Sequence, residues 1–319
     1  MGEIAMRKII IDSDTGSDDA VAIAMVIKQK NIEVLGITTV SGNCSLEQAT
    51  KNALMTVQVC DENVGVYKGC ALPIMREQKI DAINVHGKDG MGDSNLINPI
   101  RKHEEEHAVD FMLNTIKKYP EEVEILVIGP ATNIAVAIMK DPITMNKVKH
   151  FYIMGSAGLG RGNASSVAEF NTYADAESLD VLLRKNRSPK TIIGFDVCIK
   201  NALNKEEINL IKNKNKLGEF LINCNKNLID YNIRREGKAI LDLPDAVAAA
   251  VMLWSNEIAS EIKNVYVKCC YKETETYGQV IINDRTDLLA VANHYPNNNA
   301  TLVLSIDEEK FKEKLFQVI

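Results

Sequence analysis

The chain has 319 residues, of which 46% are hydrophobic and 25% charged, ordinary globular values that exclude a disordered chain, a collagen-like repeat and a coiled-coil rod. The net charge of −6 and the lack of a basic run argue against nucleic acid as a partner. No apolar stretch reaches the roughly 18 residues of a membrane span, so no membrane association is expected.

Apolar residues recur with strand and helix periods in alternation along the first two thirds of the chain. Short apolar runs predict strands at Lys8–Ile11, Glu33–Val40, Val64–Tyr67, Glu124–Ile128, His150–Met154 and Thr191–Phe195. Helical periodicity predicts helices at Ala20–Ile27, Ser45–Cys60, His103–Tyr119, Asn133–Met139 and Ala174–Arg184. Two long polar loops are expected, at Gly69–Pro99 and Gly155–Thr172.

The last third of the chain has a different character. It is mostly helical from Lys205 to Trp254, with a break near Arg234–Pro244, and short strand patterns dominate from Lys263 to Ile306 before a final helix. Apolar strands that alternate with helices indicate a mostly parallel sheet covered on both faces. We therefore predict a single α/β domain over residues 1–319, with a Rossmann-like sheet flanked by helices.

The cysteines and the N-terminal segment indicate in which cellular compartment the protein is found. Seven cysteines, none of them in a C-x-x-C pair, are expected to be reduced thiols. The first ten residues, MGEIAMRKII, run directly into a strand pattern, so no secretory signal is expected. Both features predict a cytoplasmic protein.

Four carboxylates follow the first predicted strand within eight residues: Asp12, Asp14, Asp18 and Asp19. Ligands bind at the carboxyl ends of the strands in sheets of this kind, so this segment is the first candidate site. Two like charges 4 Å apart repel by about 4 kcal/mol at an effective dielectric constant near 20. Either the pKa values of these groups rise, or a cation lies among them. Carboxylates without histidine or cysteine nearby favour Ca²⁺ or Mg²⁺.

The same segment allows two other interpretations. One or two of the aspartates can simply cap the helix that follows. An apolar strand that ends in Asp-x-Asp also begins the phosphatases of the haloacid dehalogenase type. In such an enzyme Asp12 would be the nucleophile and Asp14 the acid or base.

Three later segments place polar residues at strand ends or helix starts. Gly129–Asn133 either caps a helix or turns a main-chain carbonyl toward the crevice. Glu169 and Asn171 flank Phe170, and they either bind the hydroxyls of a sugar or form a polar loop around one anchoring aromatic residue. Asp245 is either an N-cap or a fifth carboxylate for the metal.

Eight segments between Lys8 and Arg285 carry a resemblance to a known family. They are DSDTGSDDA (12–20), TTVSGN (38–43), VHGKDGMGD (85–93), GPATNIA (129–135), MGSAGLGRGN (154–163), AEFN (168–171), PDAVAAA (244–250) and YGQVIINDR (277–285). In this order they resemble the inosine–uridine-preferring nucleoside hydrolases. The resemblance implies one domain around a mostly parallel sheet, tight binding of Ca²⁺, assembly as homodimers or homotetramers, and hydrolysis of the N-glycosidic bond of ribonucleosides.

The resemblance also implies roles for individual residues. The implied metal ligands are Asp14, Asp19, the carbonyl of Thr132, and Asp245. Asp14 is also the implied general base. The implied ribose-binding residues are Asp18, Asn43, Asn163, Glu169 and Asn171. The predicted substrate-binding set also includes three residues of the same motifs: His86, Met154 and Phe170.

These residue types suit hydrolysis through an oxocarbenium-like ribosyl centre. Ca²⁺ can bind the attacking water and both vicinal ribose hydroxyls while Asp14 takes the proton. Neighbouring carboxylates favour the positive charge that develops on the sugar. A 2′-deoxynucleoside leaves polar partners unpaired and is expected to react poorly.

The chain departs from the family pattern where the leaving base would be activated. Two subgroups of the family have histidine or tryptophan directly before the final aspartate, whereas this chain has Pro244. Tyr231 is our candidate proton donor, ahead of His86, and the alternative is that Tyr231 is a half-buried core residue. Without an acid, the protein either cleaves substrates with better leaving groups or is a non-catalytic nucleoside or ribose binder on the same fold.

Overall fold

In a computed structural model, the chain forms a nine-stranded sheet with helices on both faces. The structure describes residues 6–77, 80–94, 96–272, 274–283 and 297–319. The strands are β1 (Arg7–Ser13), β2 (Ile32–Thr39), β3 (Val66–Lys68), β4 (Val123–Val127), β5 (His150–Met154), β6 (Lys190–Ile193), β7 (Ala259–Cys269), β8 (Val280–Asn283) and β9 (Ala300–Ile306).

Fourteen α-helices connect and cover these strands in the described residues. The first seven are α1 (Ser17–Ile27), α2 (Leu46–Val59), α3 (Ile83–His86), α4 (Ala108–Lys118), α5 (Thr132–Lys140), α6 (Pro142–Met145) and α7 (Phe170–Ala174). The others are α8 (Ala176–Lys185), α9 (Phe195–Cys198), α10 (Lys205–Lys214), α11 (Lys216–Cys224), α12 (Lys226–Glu236), α13 (Pro244–Ile258) and α14 (Glu308–Val318).

The strand order in the sheet is β3-β2-β1-β4-β5-β6-β9-β7-β8. Neighbours from β3 to β9 pair in parallel, and β7 and β8 extend the sheet in antiparallel fashion. The predicted mostly parallel α/β fold is confirmed, although the antiparallel extension was not predicted. The chain winds one way from β1 to β3 and the other way from β4 to β6. The carboxyl ends of β1 and β4 therefore lie at a switch point of the kind that forms ligand crevices.

Three consecutive isoleucines explain why β1 lies inside the sheet. Ile9, Ile10 and Ile11 are all fully buried. Ile9 and Ile11 belong to the core on the face covered by α1 and α13, and Ile10 belongs to the core on the opposite face. Full burial of one such side chain stabilises the fold by roughly 1.5–3 kcal/mol. An apolar run buried on both faces is typical of a parallel strand.

Helices α1 and α13 pack against each other on one face of the sheet. Every residue of α1 is buried. Alanines fully buried in α13 allow the two helices to approach closely: Ala246, Ala248, Ala249 and Ala250. Pro244 begins α13, at the helix position where its fixed φ and missing N–H cost least.

One helix begins later in the structure than the sequence pattern predicts. The helix predicted from His103 begins at Ala108, because His107 is its N-cap and accepts the N–H of Val109 at Nδ1 (3.2 Å). The two long loops were nearly right, but each includes a short helix, α3 in the first and α7 at the end of the second. Asp284 and Arg285, the end of the last family motif, lie outside the described residues.

Two sequence expectations concern features that the described residues lack. No disulfide joins the seven cysteines, all of which lie in the described part of the chain. Among the helices described, none combines the length and the apolar character that a membrane crossing requires.

Candidate functional site

Aspartates from three parts of the fold meet at the carboxyl end of β1. Asp14 follows β1, Asp18 and Asp19 lie in the first turn of α1, and Asp245 lies in the first turn of α13. Their exposed fractions are 0%, 7%, 0% and 4%. Asp18, Asp19 and Asp245 each offer a carboxylate oxygen, and these three atoms lie within 4.8 Å of one another. The packing of α1 against α13 thus gathers carboxylates that are far apart in the sequence.

The loop after β2 holds Asp14. Asp14 Oδ2 accepts a hydrogen bond from the main-chain N–H of Asn43 at 2.6 Å. Gly42 permits this approach, because a Cβ at that position would lie 2.0 Å from the same oxygen. Asp14 Oδ1 is buried and has no hydrogen-bond partner among the described residues. One oxygen of Asp14 is therefore fixed, and the other is left without a donor.

Asp19 is fixed by three donors from the same region. Its Oδ1 accepts from the hydroxyl of Ser13 at 2.7 Å. Its Oδ2 accepts from the N–H of Gly16 at 2.8 Å and from the side-chain amide of Asn43 at 3.1 Å. Asn43, predicted to bind substrate, therefore also orients one of the aspartates.

Burial raises the pKa of each carboxyl group in this cluster. The pKa values of Asp18 and Asp19 rise to about 6, and those of Asp14 and Asp245 rise well above the usual value. For Asp14 and Asp245, burial is the largest cause, and the negative charge of neighbouring aspartates adds to it. Carboxylates that are buried this deeply must either be protonated or bind a cation.

The donor set fits a hard divalent cation. Its members are carboxylates, the ligand type that Ca²⁺ and Mg²⁺ prefer over the softer metals. Within this donor set, Asp14 Oδ1 and Asp18 Oδ1 are buried and have no hydrogen-bond partner among the described residues. The residues that would hold a cation are Asp14, Asp18, Asp19 and Asp245. The sequence assigned Asp18 only to the substrate, whereas the geometry also places it among these candidate ligands.

A cavity of about 560 Å³ lies beside the cluster. Asp18 and Asp245 are part of its wall, whereas Asp14 and Asp19 are not among the described residues that line it. All the substrate-binding residues predicted from the sequence line it: Asp18, Asn43, His86, Met154, Asn163, Glu169, Phe170 and Asn171. Tyr231 and Pro244 also line it. The structure thus brings the predicted set to one place, and the role of each residue stays a prediction.

Glu169 and Asn171 join α7 to the ends of two strands. Glu169 caps α7, because its carboxylate accepts the N–H groups of Asn171 (2.8 Å) and Thr172 (3.1 Å). Asn171 donates from Nδ2 to the carbonyl of Ile128, just past β4, at 3.0 Å, and to that of Met154, at the end of β5, at 3.4 Å. This lining of the cavity is held in place by hydrogen bonds within the protein.

Without a metal, the protein is expected to lose stability as the pH rises from about 4.5 to 7. Burial raises the pKa of Glu169 to about 7. Between its unfolded and folded pKa values, the native state binds the proton and the unfolded state releases it. The free energy of unfolding therefore falls with pH, by about 3 kcal/mol for this group alone. Urea unfolding in excess chelator at pH 5 and pH 7 checks the sign, and an equal or higher midpoint at pH 7 would contradict it.

The start and the end of the loop that precedes α7 contact each other. Asn163 Oδ1 accepts the N–H of Phe170 at 2.8 Å. Gly162 packs so closely on the chain that a Cβ there would lie 2.1 Å from the carbonyl oxygen of Ala168. These contacts place Asn163 and Phe170 on the same stretch of cavity wall.

The structure does not bring Thr132 to the cavity wall with the other predicted residues. Its hydroxyl donates to Asp175 Oδ2 at 2.7 Å, and it is not among the described residues that line the cavity. Ile128, at the carboxyl end of β4, does line the cavity. Its carbonyl, which accepts from Asn171, is a second main-chain oxygen at this edge of the sheet, and the role of the Thr132 carbonyl as a metal ligand stays a prediction. The sequence signal for Ile128 was its place at a strand end, not its side chain.

Asp12 lies behind the aspartate cluster. It is fully buried, and its Oδ1 accepts from the hydroxyl of Thr38 (2.6 Å) and the side-chain amide of Asn133 (2.8 Å). Burial raises its pKa to about 7. Thr38 and Asn133 thus fix one oxygen of Asp12 behind the cluster, as in a structural role. This geometry does not favour the phosphatase interpretation.

His86 is a neutral base in the cavity wall. Its Nδ1 is hydrogen-bonded to the hydroxyl of Ser17 at 2.8 Å and lies 3.7 Å from Asp18 Oδ1. Burial lowers the pKa of His86 to about 4, so the imidazole carries no charge at neutral pH. Tyr231 is half-buried on α12, with the guanidinium of Arg235 5.6 Å from its ring centre.

Several residues of the cavity wall were missed by the sequence analysis, among them two polar ones. Asn232 follows Tyr231 on α12, and Asp242 lies three residues before Asp245. Neither stands at a strand end or in a recognised motif. The only available signal was their nearness in sequence to residues already selected.

Comparison with known proteins gives a consistent result. The sequence model of a family described as inosine-uridine preferring nucleoside hydrolase matches residues 9–313. Uridine nucleosidase 1 of Arabidopsis thaliana is 35% identical over 244 residues, which cover 76% of this chain and 72% of that protein. A pyrimidine-specific ribonucleoside hydrolase of Escherichia coli (strain SE11) is 40% identical over 192 residues, 60% of each chain.

Solved structures agree with these matches. A purine-preferring ribonucleoside hydrolase from Gardnerella vaginalis superimposes with a TM-score of 0.88 and 27% identity, covering 98% of both chains. A plant nucleoside hydrolase superimposes with a TM-score of 0.90 over 98% of both chains. Its identity is 24%, so this second likeness shows the fold alone.

Proposed function

Because the chain belongs to the inosine-uridine preferring nucleoside hydrolase family and is thus an N-glycosidase that hydrolyses ribonucleosides, we propose that it does so with Ca²⁺ as its metal and Asp14 as general base. The observation that carries this proposal is the buried aspartate cluster beside a cavity large enough for a nucleoside. Asp14 Oδ1 and Asp18 Oδ1 have no donor among the described residues, as expected for oxygens that face a cation.

Each group of residues has a task in this proposal. A Ca²⁺ held by Asp14, Asp18, Asp19 and Asp245 would supply the positive charge that lowers the pKa of a water and attracts the hydroxyls of a ribose. Asp14 takes the proton of the attacking water, since the N–H of Asn43 fixes Oδ2 and leaves Oδ1 for that task. Glu169 and Asn171 hold the sugar. The anionic wall favours the oxocarbenium-like ribosyl centre as the bond to the base breaks.

The leaving base needs a proton or a hydrogen bond, and Tyr231 is our candidate donor. Its ring lies beside the guanidinium of Arg235, and it lines the cavity. His86 is the weaker candidate, because a neutral imidazole with its Nδ1 bonded to Ser17 has only Nε2 to offer.

Release of free ribose from uridine, inosine, adenosine and cytidine tests this function directly. Ribose release supports an N-glycosidase, while saturable binding without release supports a non-catalytic binder. Mg²⁺-dependent release of phosphate from phosphate esters would support a phosphatase instead.

A 2′-deoxynucleoside is expected to be a poor substrate. We expect kcat/KM for 2′-deoxyuridine to be at least about a hundredfold below that for uridine, because the missing hydroxyl leaves buried polar partners unpaired. Loss of this electron-withdrawing hydroxyl makes uncatalysed cleavage easier, so slower enzymatic cleavage isolates its binding role. Initial rates of ribose and deoxyribose release measure the ratio, and values within threefold of each other would contradict the proposed diol site.

The family resemblance further implies a homodimer or homotetramer in the cytoplasm that takes part in nucleobase salvage. These properties stay predictions.

A further inference from the structure

The part of the cavity wall that α12 provides differs in chemistry from the aspartate cluster. α12 contributes Leu228, Tyr231, Asn232 and Arg235 to the wall, and Asp242 faces the same cavity from the segment before α13. An apolar side chain, an aromatic ring and a few polar groups are the usual lining for a flat organic ring.

Asn232 and Asp242 form a buried pair within this wall. Asn232 is fully buried and Asp242 is 9% exposed. Asn232 Nδ2 donates to Asp242 Oδ2 at 3.1 Å and to the carbonyl of Ile240 at 3.3 Å. Asn232 Oδ1 is buried and has no hydrogen-bond partner among the described residues. The Asn232 amide nitrogen thus orients the Asp242 carboxylate, and the Asn232 amide oxygen remains available to accept a hydrogen bond.

The pair is short of donors. Asn232 is the only side chain described that donates a hydrogen bond to Asp242. The charge of Arg235 acts to lower the pKa of Asp242, but Arg235 donates hydrogen bonds to Glu236, with Nε to Oε1 at 3.1 Å. Burial raises the pKa of Asp242, as expected for a carboxylate with few donors. Buried acceptors normally find partners, so Asn232 Oδ1, which lacks one, and Asp242, which accepts from a single side chain, point to a donor on the ligand.

We propose that Asp242, positioned by Asn232, accepts a hydrogen bond from a ring N–H of the nucleobase and selects bases that carry this donor, such as uracil (N3–H) and hypoxanthine (N1–H). This inference rests on the proposed function. The cation and the ribose take up the aspartate cluster, and the base is the part of a nucleoside that has N–H donors to offer.

N3-methyluridine provides the test, since a methyl group replaces the donor. In the parent enzyme, kcat/KM for N3-methyluridine is expected to be about a hundredfold below that for uridine. In Asp242→Ala, the value for uridine falls about tenfold to a hundredfold and the value for N3-methyluridine stays unchanged, so the discrimination shrinks to about tenfold or less. Asp242→Asn, which keeps the shape of the side chain, lowers the discrimination in the same direction.

Asp230→Ala is the matched control. Asp230 is a carboxylate on the same helix that pairs with Lys226 and does not line the described cavity. This variant keeps the parent discrimination. Inhibition by ribose stays within threefold of the parent in all variants, which shows that the sugar side is intact in each of them.

Three results would overturn the proposal. The parent enzyme cleaves both nucleosides equally, or Asp242→Ala keeps the discrimination. In the third result, Asp242→Ala leaves uridine unchanged and accelerates N3-methyluridine, which would mean that Asp242 only occupies space. Failure of the parent to release ribose from any nucleoside would instead reject the proposed function, and this inference with it.

Discussion

Asp14→Asn is expected to lower kcat for ribose release by at least about a thousandfold, the range over which a general base contributes. Asparagine keeps the shape of the side chain and an acceptor for the N–H of Asn43, which lies 2.6 Å from Oδ2 in the native protein. It cannot take a proton from the attacking water. It also removes one negative charge from the candidate cation site. The measurement is ribose release under saturating uridine.

The control for Asp14→Asn is Asp230→Asn, which removes an exposed carboxylate of α12 and is expected to keep the parent rate. Ion content and thermal midpoint, measured for both variants, separate loss of the base from loss of the metal. A rate for Asp14→Asn within about tenfold of the parent, equivalent to about 1.4 kcal/mol of barrier, would contradict the assignment.

Removal of divalent metal is expected to lower ribose release at least about a hundredfold, and added Ca²⁺ is expected to restore it. The physical reason is the charge balance of the site. Asp18, Asp19 and Asp245 bring oxygens within 4.8 Å of one another in a buried position. In metal-free protein these groups must either be protonated or repel one another, and in either case the cation that would bind the ribose diol is absent.

The same treatment is expected to lower stability. A ligand that binds only the folded state stabilises it by about 2.7 kcal/mol when its free concentration is a hundred times Kd. The thermal midpoint should therefore rise with Ca²⁺ concentration, and more steeply at pH 7 than at pH 5, because protons compete for the same carboxylates. Asp245→Asn should flatten this dependence. Full activity after exhaustive chelation, with no ion found by elemental analysis, would contradict the metal assignment.

The central strands and helices could be predicted because elements that are buried on both faces have continuous apolar runs in the sequence. The run Ile9–Ile11 is apolar for that reason, and the predicted His150–Met154 strand matches β5. The start of α4 could not be predicted from pattern alone, since a charged first turn and a charged loop have the same composition. His107 decides it through a side-chain hydrogen bond to Val109.

The site was predictable to the extent that its residues follow strands or begin helices. Asp14, Asp19 and Asp245 met those criteria, and the fold brings them together. Ile128 was not selected, because a main-chain oxygen leaves no trace in residue type. Asn232 and Asp242 were missed because their proximity arises only when α12 folds back over the cavity.

The packing of α1 against α13 also has a consequence for how the protein is made. During synthesis, β1 and α1 leave the ribosome long before α13, so the first aspartates wait for a partner that arrives late. An ion held among these aspartates would then link α1, which is made early, to α13, which is made late. Loss of that ion would weaken the packing of these two helices, and its binding would require that both portions of the polypeptide are in place.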